Sequence, residues 1–215
     1  MSALYYCRQT TTACKGIPYP SKTHPYRYGT SGCVYTSGCG VCASLMALRN
    51  STTRVFNTRQ WTHRCLGMGA RAAEGTDMAV VARYMKEKYG LDYAITTDMD
   101  RLVAHLKQGY KAIINVSGGG KMLFSNSGHY VLAAGIDKNG NLIILDPYWY
   151  DGKFTLTAAR RKYTRVKNGR EVYVRPADLK GDVLSLWLFT PKRDVRLAYS
   201  VNDCLLYTSD AADDR

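Results

Sequence analysis

The sequence predicts an α+β domain with helices first and an antiparallel sheet after, and three observations carry that expectation. Apolar residues recur at helical spacing between Cys39 and Leu106. From Ala112 onward the apolar runs shorten to strand length. The turn signal Asp137-Lys138-Asn139-Gly140 joins two of these runs as a hairpin. Such an order, runs of helix followed by runs of strand, is the pattern of an α+β architecture. The 215 residues suit one domain, long enough to bury a core without metal or disulfide staples.

The elements follow in order. Residues 1–37, rich in Tyr, Thr, Ser, Gly and Pro, read as an irregular arm with short strands. Val41, Leu45 and Leu48, with Ala43 and Ala47, predict a buried helix over Gly40 to Arg49, with Thr36 and Ser37 placed to cap it. A second helix is expected over Thr58 to Cys65. A third is expected over Thr76 to Tyr89, capped by Thr76, striped by Met78, Val81 and Met85, and ended by Gly90. A strand at Tyr93 to Thr96 precedes a helix capped by Asp98, with Met99, Leu102, Val103 and Leu106 inward and Gly109 as terminator. Ala112 to Val116 then reads as a buried strand, and Gly118-Gly119-Gly120 opens a loop, expected to be mobile, that runs to Ser127. His129 to Ile136 and Leu142 to Leu145 form the hairpin, Tyr163 to Val174 a basic hairpin about Asn168-Gly169, and Val183 to Phe189 a closing strand.

Composition bounds the function. The formal net charge is +13, rising to +15 for residues 1–203 once the acidic tail is set aside. A field that positive favours an anionic partner: a bacterial wall, a membrane surface or nucleic acid. No run of 18 apolar residues is present, so no transmembrane segment is expected. The first residues lack an apolar h-region, which leaves a cytoplasmic protein or one released by lysis. From Cys204 to Asp214 the chain resembles the translation of a transposase-type sequencing adapter. Residues 204–215 are therefore read as an artefact and 1–203 as the domain. Of the six remaining cysteines, Cys7 with Cys14 and Cys33 with Cys65 are spaced for disulfides, but spacing leaves the pairing open. Cys39 and Cys42 fit C-x-x-C, yet no second close ligand pair accompanies them, so no metal or other cofactor is expected.

The chemistry gathers on three residues. A thiol attacks as thiolate, and a helix start lowers its pKa, since unpaired N–H groups and the helix dipole favour the anion. Cys39 sits at such a start between Gly38 and Gly40, which leave room for a substrate backbone. His129 opens an apolar strand, where an imidazole needs a partner. Asp146 ends the opposite strand. A four-residue turn at 137–140 would pair Ile136 with Asn141 and set Asp146 opposite Val131, one diagonal step from His129. Cys39 is thus the candidate nucleophile, His129 its base and Asp146 the group that orients the imidazole.

The stretch Ser37-Gly38-Cys39-Gly40-Val41-Cys42-Ala43-Ser44-Leu45-Met46 resembles the S-G-C-G-P-T-S-L-A-M nucleophile segment of papain-like peptidases related to the double-glycine (bacteriocin) leader peptidases. Ser127 to Leu132, Gly135 to Asp137, Asn139 to Asn141 and Asp146-Pro147 resemble that family's second block, and Leu106 to Ile114 its helix–strand lead-in. The resemblance spans about residues 5–190 and implies a papain-like cysteine peptidase fold with Cys, His and Asp roles at Cys39, His129 and Asp146. Val41 and Cys42 depart from the family's Pro and Thr. The family's oxyanion glutamine has one upstream candidate, Gln9, which reaches the site only if the intervening arm folds back. Phage lysins and bacterial wall hydrolases among such relatives point to a cell-wall peptide or a protein as substrate. The alternative is a non-catalytic basic module for nucleic acid or wall. It rests on eight Lys or Arg between Arg160 and Lys180, interleaved with Tyr163 and Tyr173. A solvated hairpin face is the plainer account of that run. A C-x-x-C redox protein would need a thioredoxin-like βαβ order, which is missing around Cys39.

Overall fold

The computed structural model describes residues 4–192, so the segment read as an adapter artefact lies outside the described residues. The arm holds two short helices, α1 (Thr12–Lys15) and α2 (Val34–Ser37), instead of the expected short strands. Its only extended pairings among the described residues are the isolated bridges Pro18–Cys33 and Arg27–Ser31. It is held by long-range contacts: Asn50 bonds both backbone groups of Tyr5, and the Gln9 N–H donates to the Pro147 carbonyl at 2.9 Å. The arm therefore folds back across the end of the sheet.

Helix α3 (Cys39–Ser51) begins one residue earlier than expected, with Gly38 at its N-cap. Thr36 and Ser37 cannot cap it, because both are already inside α2. Residues Gly40 to Leu48 are all buried, so α3 has no polar face. Its one interior hydroxyl is satisfied: Ser44 donates to the Gly40 carbonyl and accepts from Trp61 Nε1 at 2.8 Å. Helix α4 (Thr58–Gly67) opens on an Asn57–Gln60 capping box. A two-stranded ladder, β1 (Arg71–Ala72) with β2 (Gly75–Thr76), comes next. Helix α5 (Met78–Tyr89) is capped by Asp77, whose carboxylate accepts from Ala79 and Val80 N–H, and it ends at left-handed Gly90. Thr76, the expected cap, is committed elsewhere: its backbone pairs with Arg71 and its hydroxyl meets Tyr19 Oη at 2.9 Å.

Strand β3 (Leu91–Thr96) leads to α6 (Met99–Lys107), capped by Asp98 as expected. Then come β4 (Lys111–Val116), β5 (His129–Ile136) and β6 (Leu142–Leu145). Helix α7 (Ala158–Tyr163), the hairpin β7 (Thr164–Lys167) with β8 (Glu171–Val174), α8 (Pro176–Leu179) and β9 (Val183–Pro191) follow within the described residues. Strands β3 to β9 form one antiparallel sheet in the order β3-β9-β4-β5-β6-β8-β7. Helices α3 and α6 both lie on its central strands. Alternation sorts the strand residues: Ile113, Leu132 and Leu145 join the cluster with α3, α4 and α5, while Ile114, Val131 and Ile144 join the cluster with α6.

Two loops correct the sequence reading. The segment from Ser117 to Gly128, expected to be mobile, is pinned at its middle. The buried Asp182 carboxylate accepts from Met122 and Leu123 N–H, both at 3.1 Å, and Leu123 and Phe124 are core residues. The β5–β6 connection is one residue longer than expected, since Ile136 pairs with Leu142 and Asp137 accepts from Asn139 and Asn141 N–H. A bulge between Ala133 and Gly135 cancels the slip, so Leu132 still faces Leu145. Extending that register by one pair sets Asp146 opposite Val131, as the simpler turn would have done.

Candidate active site

Cys39 is the first residue of α3 and keeps part of its surface open to solvent, while Gly38 and Gly40 beside it are buried. The two glycines are there for space. A Cβ on Gly40 would sit 2.5 Å from the Thr76 Cβ, and one on Gly38 would sit 2.4 Å from the Val34 carbonyl oxygen. Gly40→Ala should therefore push α3 off β2, losing about 1–3 kcal/mol and displacing the thiol. Thermal unfolding and Cys39 alkylation rates, measured together, check this outcome; a variant unchanged in both would refute it.

His129 begins β5 and is buried. Its Nε2 lies 2.8 Å from Asp146 Oδ1, which leaves Nδ1 as the ring nitrogen free to interact with the Cys39 thiol. The ring stands edge-on to Tyr148, 81° between planes. Asp146 has no exposed surface, and both its oxygens are used. Oδ1 also accepts from Tyr148 N–H at 2.9 Å, Oδ2 accepts from Lys153 Nζ at 2.6 Å, and its carbonyl accepts from Tyr6 Oη at 2.7 Å.

These contacts set the protonation balance. Burial alone would raise the Cys39 thiol, but the His129 hydrogen bond and charge, with the Tyr130 and Gly40 N–H groups, bring it below the ordinary thiol value. Burial alone would lower His129, but the charge and hydrogen bond of Asp146 outweigh it and raise the imidazole to about 9. Burial raises Asp146, yet His129 and Lys153 hold it below the usual carboxylate range. The arrangement thus favours a thiolate–imidazolium pair backed by a carboxylate.

Gln9 is buried near this end of the sheet, with its backbone tied to Pro147. Its Nε2 donates to the Tyr35 carbonyl at 3.1 Å and the Val34 carbonyl at 3.4 Å, while Oε1 has no hydrogen-bond partner. Its amide N–H groups are thus turned toward α2, and a role at an oxyanion needs at least one of them redirected. Cys42 lies one turn along α3, fully buried. The hydrogen bond with Cys7, followed by burial, raises its thiol well above the ordinary value, which makes it a poor nucleophile. All six cysteines of the described residues are free, so neither spaced pair is bridged. No group of three or more His, Cys, Asp or Glu side chains placed to hold a metal ion occurs among the described residues.

The residue that sequence reasoning missed is Lys153, 2% exposed, in a 3₁₀ turn at Lys153–Thr155. A lone lysine between Gly152 and Phe154 carries no local signal of burial; lysines are almost never buried without a partner. The neighbouring helix α7 was also missed, although Thr157 before Ala158-Ala159-Arg160 is a readable N-cap.

The Peptidase_C39 like family model matches residues 14–171. The peptidase domain of Streptococcus ComA, described as a bi-functional ABC transporter involved in a quorum sensing pathway, is similar in structure. The match has 15% identity and a TM-score of 0.47, and it covers 72% of this chain and 91% of that one. The Streptococcus mutans ComA peptidase domain in complex with a small-molecule inhibitor matches at 16% identity and a TM-score of 0.40, covering 73% of this chain and 93% of that one. No curated protein matches the sequence.

Proposed function

This chain belongs to the Peptidase_C39 like family of papain-like cysteine peptidases, and from that premise we propose that it cleaves a peptide or amide bond with Cys39 as nucleophile, His129 as base and Asp146 as the orienting group. The observation that carries this reading is the 2.8 Å contact of His129 Nε2 with buried Asp146, which leaves the other ring nitrogen to a thiol at a helix start.

The Cys39 thiolate attacks the carbonyl carbon, and the bond electrons move onto oxygen. The developing oxyanion lies within reach of the Cys39 backbone N–H, with Gln9 as the candidate second donor once an amide N–H turns from α2. Collapse expels the amine, which takes its proton from the His129 imidazolium. The acyl group remains on sulfur. Neutral His129 then removes a proton from water, which attacks the thioester and frees the thiolate. Asp146 keeps the imidazole in one orientation through both halves.

For substrate we favour a bacterial cell-wall peptide, with a protein as the second choice. The support is charge: Arg161, Lys162, Arg165 and Lys167 are all exposed along α7 and β7, at one edge of the sheet. Arg160 is not part of this face. It is buried and donates to the Lys153 and Met122 carbonyls, so it holds the fold. Binding to purified walls should fall roughly tenfold to fiftyfold between 50 and 200 mM salt. Replacing Arg161, Lys162 and Arg165 by Ala should remove most of that dependence. Affinity that ignores both salt and these substitutions would count against an anionic partner. Zymography on purified bacterial walls, with Cys39→Ala alongside, tests the activity itself. Clearing by both proteins would refute the nucleophile. Wall or nucleic-acid binding without any thiol-dependent turnover would favour the basic binding module.

A further inference from the structure

The buried lysine beside Asp146 has a consequence for the chemistry. We propose that Lys153 is a positioning residue of the hydrolytic site: it pins the outer oxygen of Asp146, so that the inner oxygen faces His129, and it balances the carboxylate's charge. The proposal rests on the reading of Cys39, His129 and Asp146 given above.

The geometry is that of a buried relay. Lys153 Nζ lies 2.6 Å from Asp146 Oδ2 and 2.8 Å from the Tyr148 carbonyl. Asp146 Oδ1 is shared by His129 Nε2 and the Tyr148 N–H. Every strong hydrogen-bonding direction of the carboxylate but one is occupied, so it cannot rotate without breaking a contact. The lysine is itself fixed. Arg160 Nη1 donates to its carbonyl at 3.2 Å, and the rings of Tyr148, Tyr150 and Phe154 lie 5.4–5.9 Å from its ammonium. Burial and these contacts leave little solvent to screen the charges.

The charges alternate along the relay: thiolate, imidazolium, carboxylate, ammonium. An isolated buried carboxylate would hold the imidazolium so tightly that its proton would be slow to reach the leaving amine. The ammonium on the far oxygen weakens that hold. The other groups facing the relay are Tyr6 from the arm, which donates to the Asp146 carbonyl, Tyr130 from β5, Tyr19 from the arm, Cys42 from α3 and Arg71 from β1 on the Cys39 side, and Arg160 from α7, whose charge opposes the ammonium. None of them bonds the Asp146 carboxylate among the described residues, so Lys153 is the one cation placed to tune it.

Removing the positive charge stabilises the imidazolium and, less strongly, destabilises the thiolate. Both ionisations should therefore move to higher pH, that of His129 further. Lys153→Gln is the chosen variant because it loses the charge but can still donate to Asp146 and to the Tyr148 carbonyl. Lys153→Arg restores the charge. The experiment follows the His129 ring nitrogens by NMR against pH, with Cys39 alkylation by iodoacetamide in parallel. In the wild type the ring should titrate near 9. In Lys153→Gln the midpoint should rise by about one pH unit, and Lys153→Arg should bring it back. A folded Lys153→Gln protein whose His129 midpoint stays put overturns the proposal, even if it has lost stability, since a merely structural lysine predicts that result. A wild-type His129 that titrates at the ordinary imidazole value, or a Cys39 that is not the reactive thiol, sinks the hydrolytic reading and this proposal with it.

Discussion

Cys39→Ala and His129→Ala should each abolish turnover, with losses of at least about 10⁴-fold, because nucleophile and base act as one unit. The wild-type thiol should be alkylated readily near pH 6, where unperturbed thiols are protonated almost entirely. Competing thiols are poor targets: Cys42 is buried, with its pKa driven up by its hydrogen bond to Cys7 and by burial, Cys14 and Cys65 are raised by burial, and Cys7, lowered by its hydrogen bond to Cys42, is buried out of reach of the reagent. His129→Ala should also slow alkylation, since the imidazole provides the largest effects that lower the thiol's pKa. Mass spectrometry of singly alkylated protein identifies the reacting cysteine. Modification spread evenly over the cysteines, or an active Cys39→Ala protein, would sink the assignment. Cys42→Ser should leave turnover nearly unchanged, which separates a nucleophile from a redox pair.

Asp146→Asn should have the second largest effect, and it acts twice. The rate should fall by up to about 10⁴-fold, because an amide no longer holds the imidazole in its productive tautomer. From sequence alone this substitution would be expected to spare the fold. Lys153 changes that expectation, since losing the carboxylate would leave a 2%-exposed ammonium without its counter-ion. Breaking a buried pair from one side costs about 3–5 kcal/mol, which in a chain of this size lowers Tm by roughly 10 °C. Adding Lys153→Met removes the orphaned charge and should return much of the stability, while activity stays lost. Calorimetry and turnover on the single and double variants would test this. A single variant as stable as wild type, or a double variant no more stable than the single, would refute the account.

The stability of the Asp146 site also has a pH sense. His129 is raised in the folded protein, so its contribution is fully present below the ordinary imidazole value and is lost as pH rises through about 9. Asp146 is depressed, so its contribution is present above the ordinary carboxylate value and fades as pH falls below it.

Features set by short stretches of chain were legible before folding was known. The apolar period placed α3 to within one residue of its observed start, because a buried helix must repeat its apolar residues every turn. Asp98 starts α6 and Gly90 ends α5 as read, because capping needs only a side chain or a free φ within one turn. The hairpin from His129 to Leu145 was legible from alternation and a turn, and so was the chance of His129 meeting Asp146. Contacts between residues far apart in the chain settled the rest. They turned Asp77 into the cap of α5, because Thr76 was claimed by Tyr19 and Arg71. They cancelled a longer turn with a bulge at Ala134, which no local pattern specifies. They carried Gln9 across to Pro147 and aimed its amide at α2. Above all they buried Lys153 against Asp146. A lysine costs too much to bury alone, so only the assembled charges of Asp146, with the Tyr148 carbonyl beside them, could bring it inside.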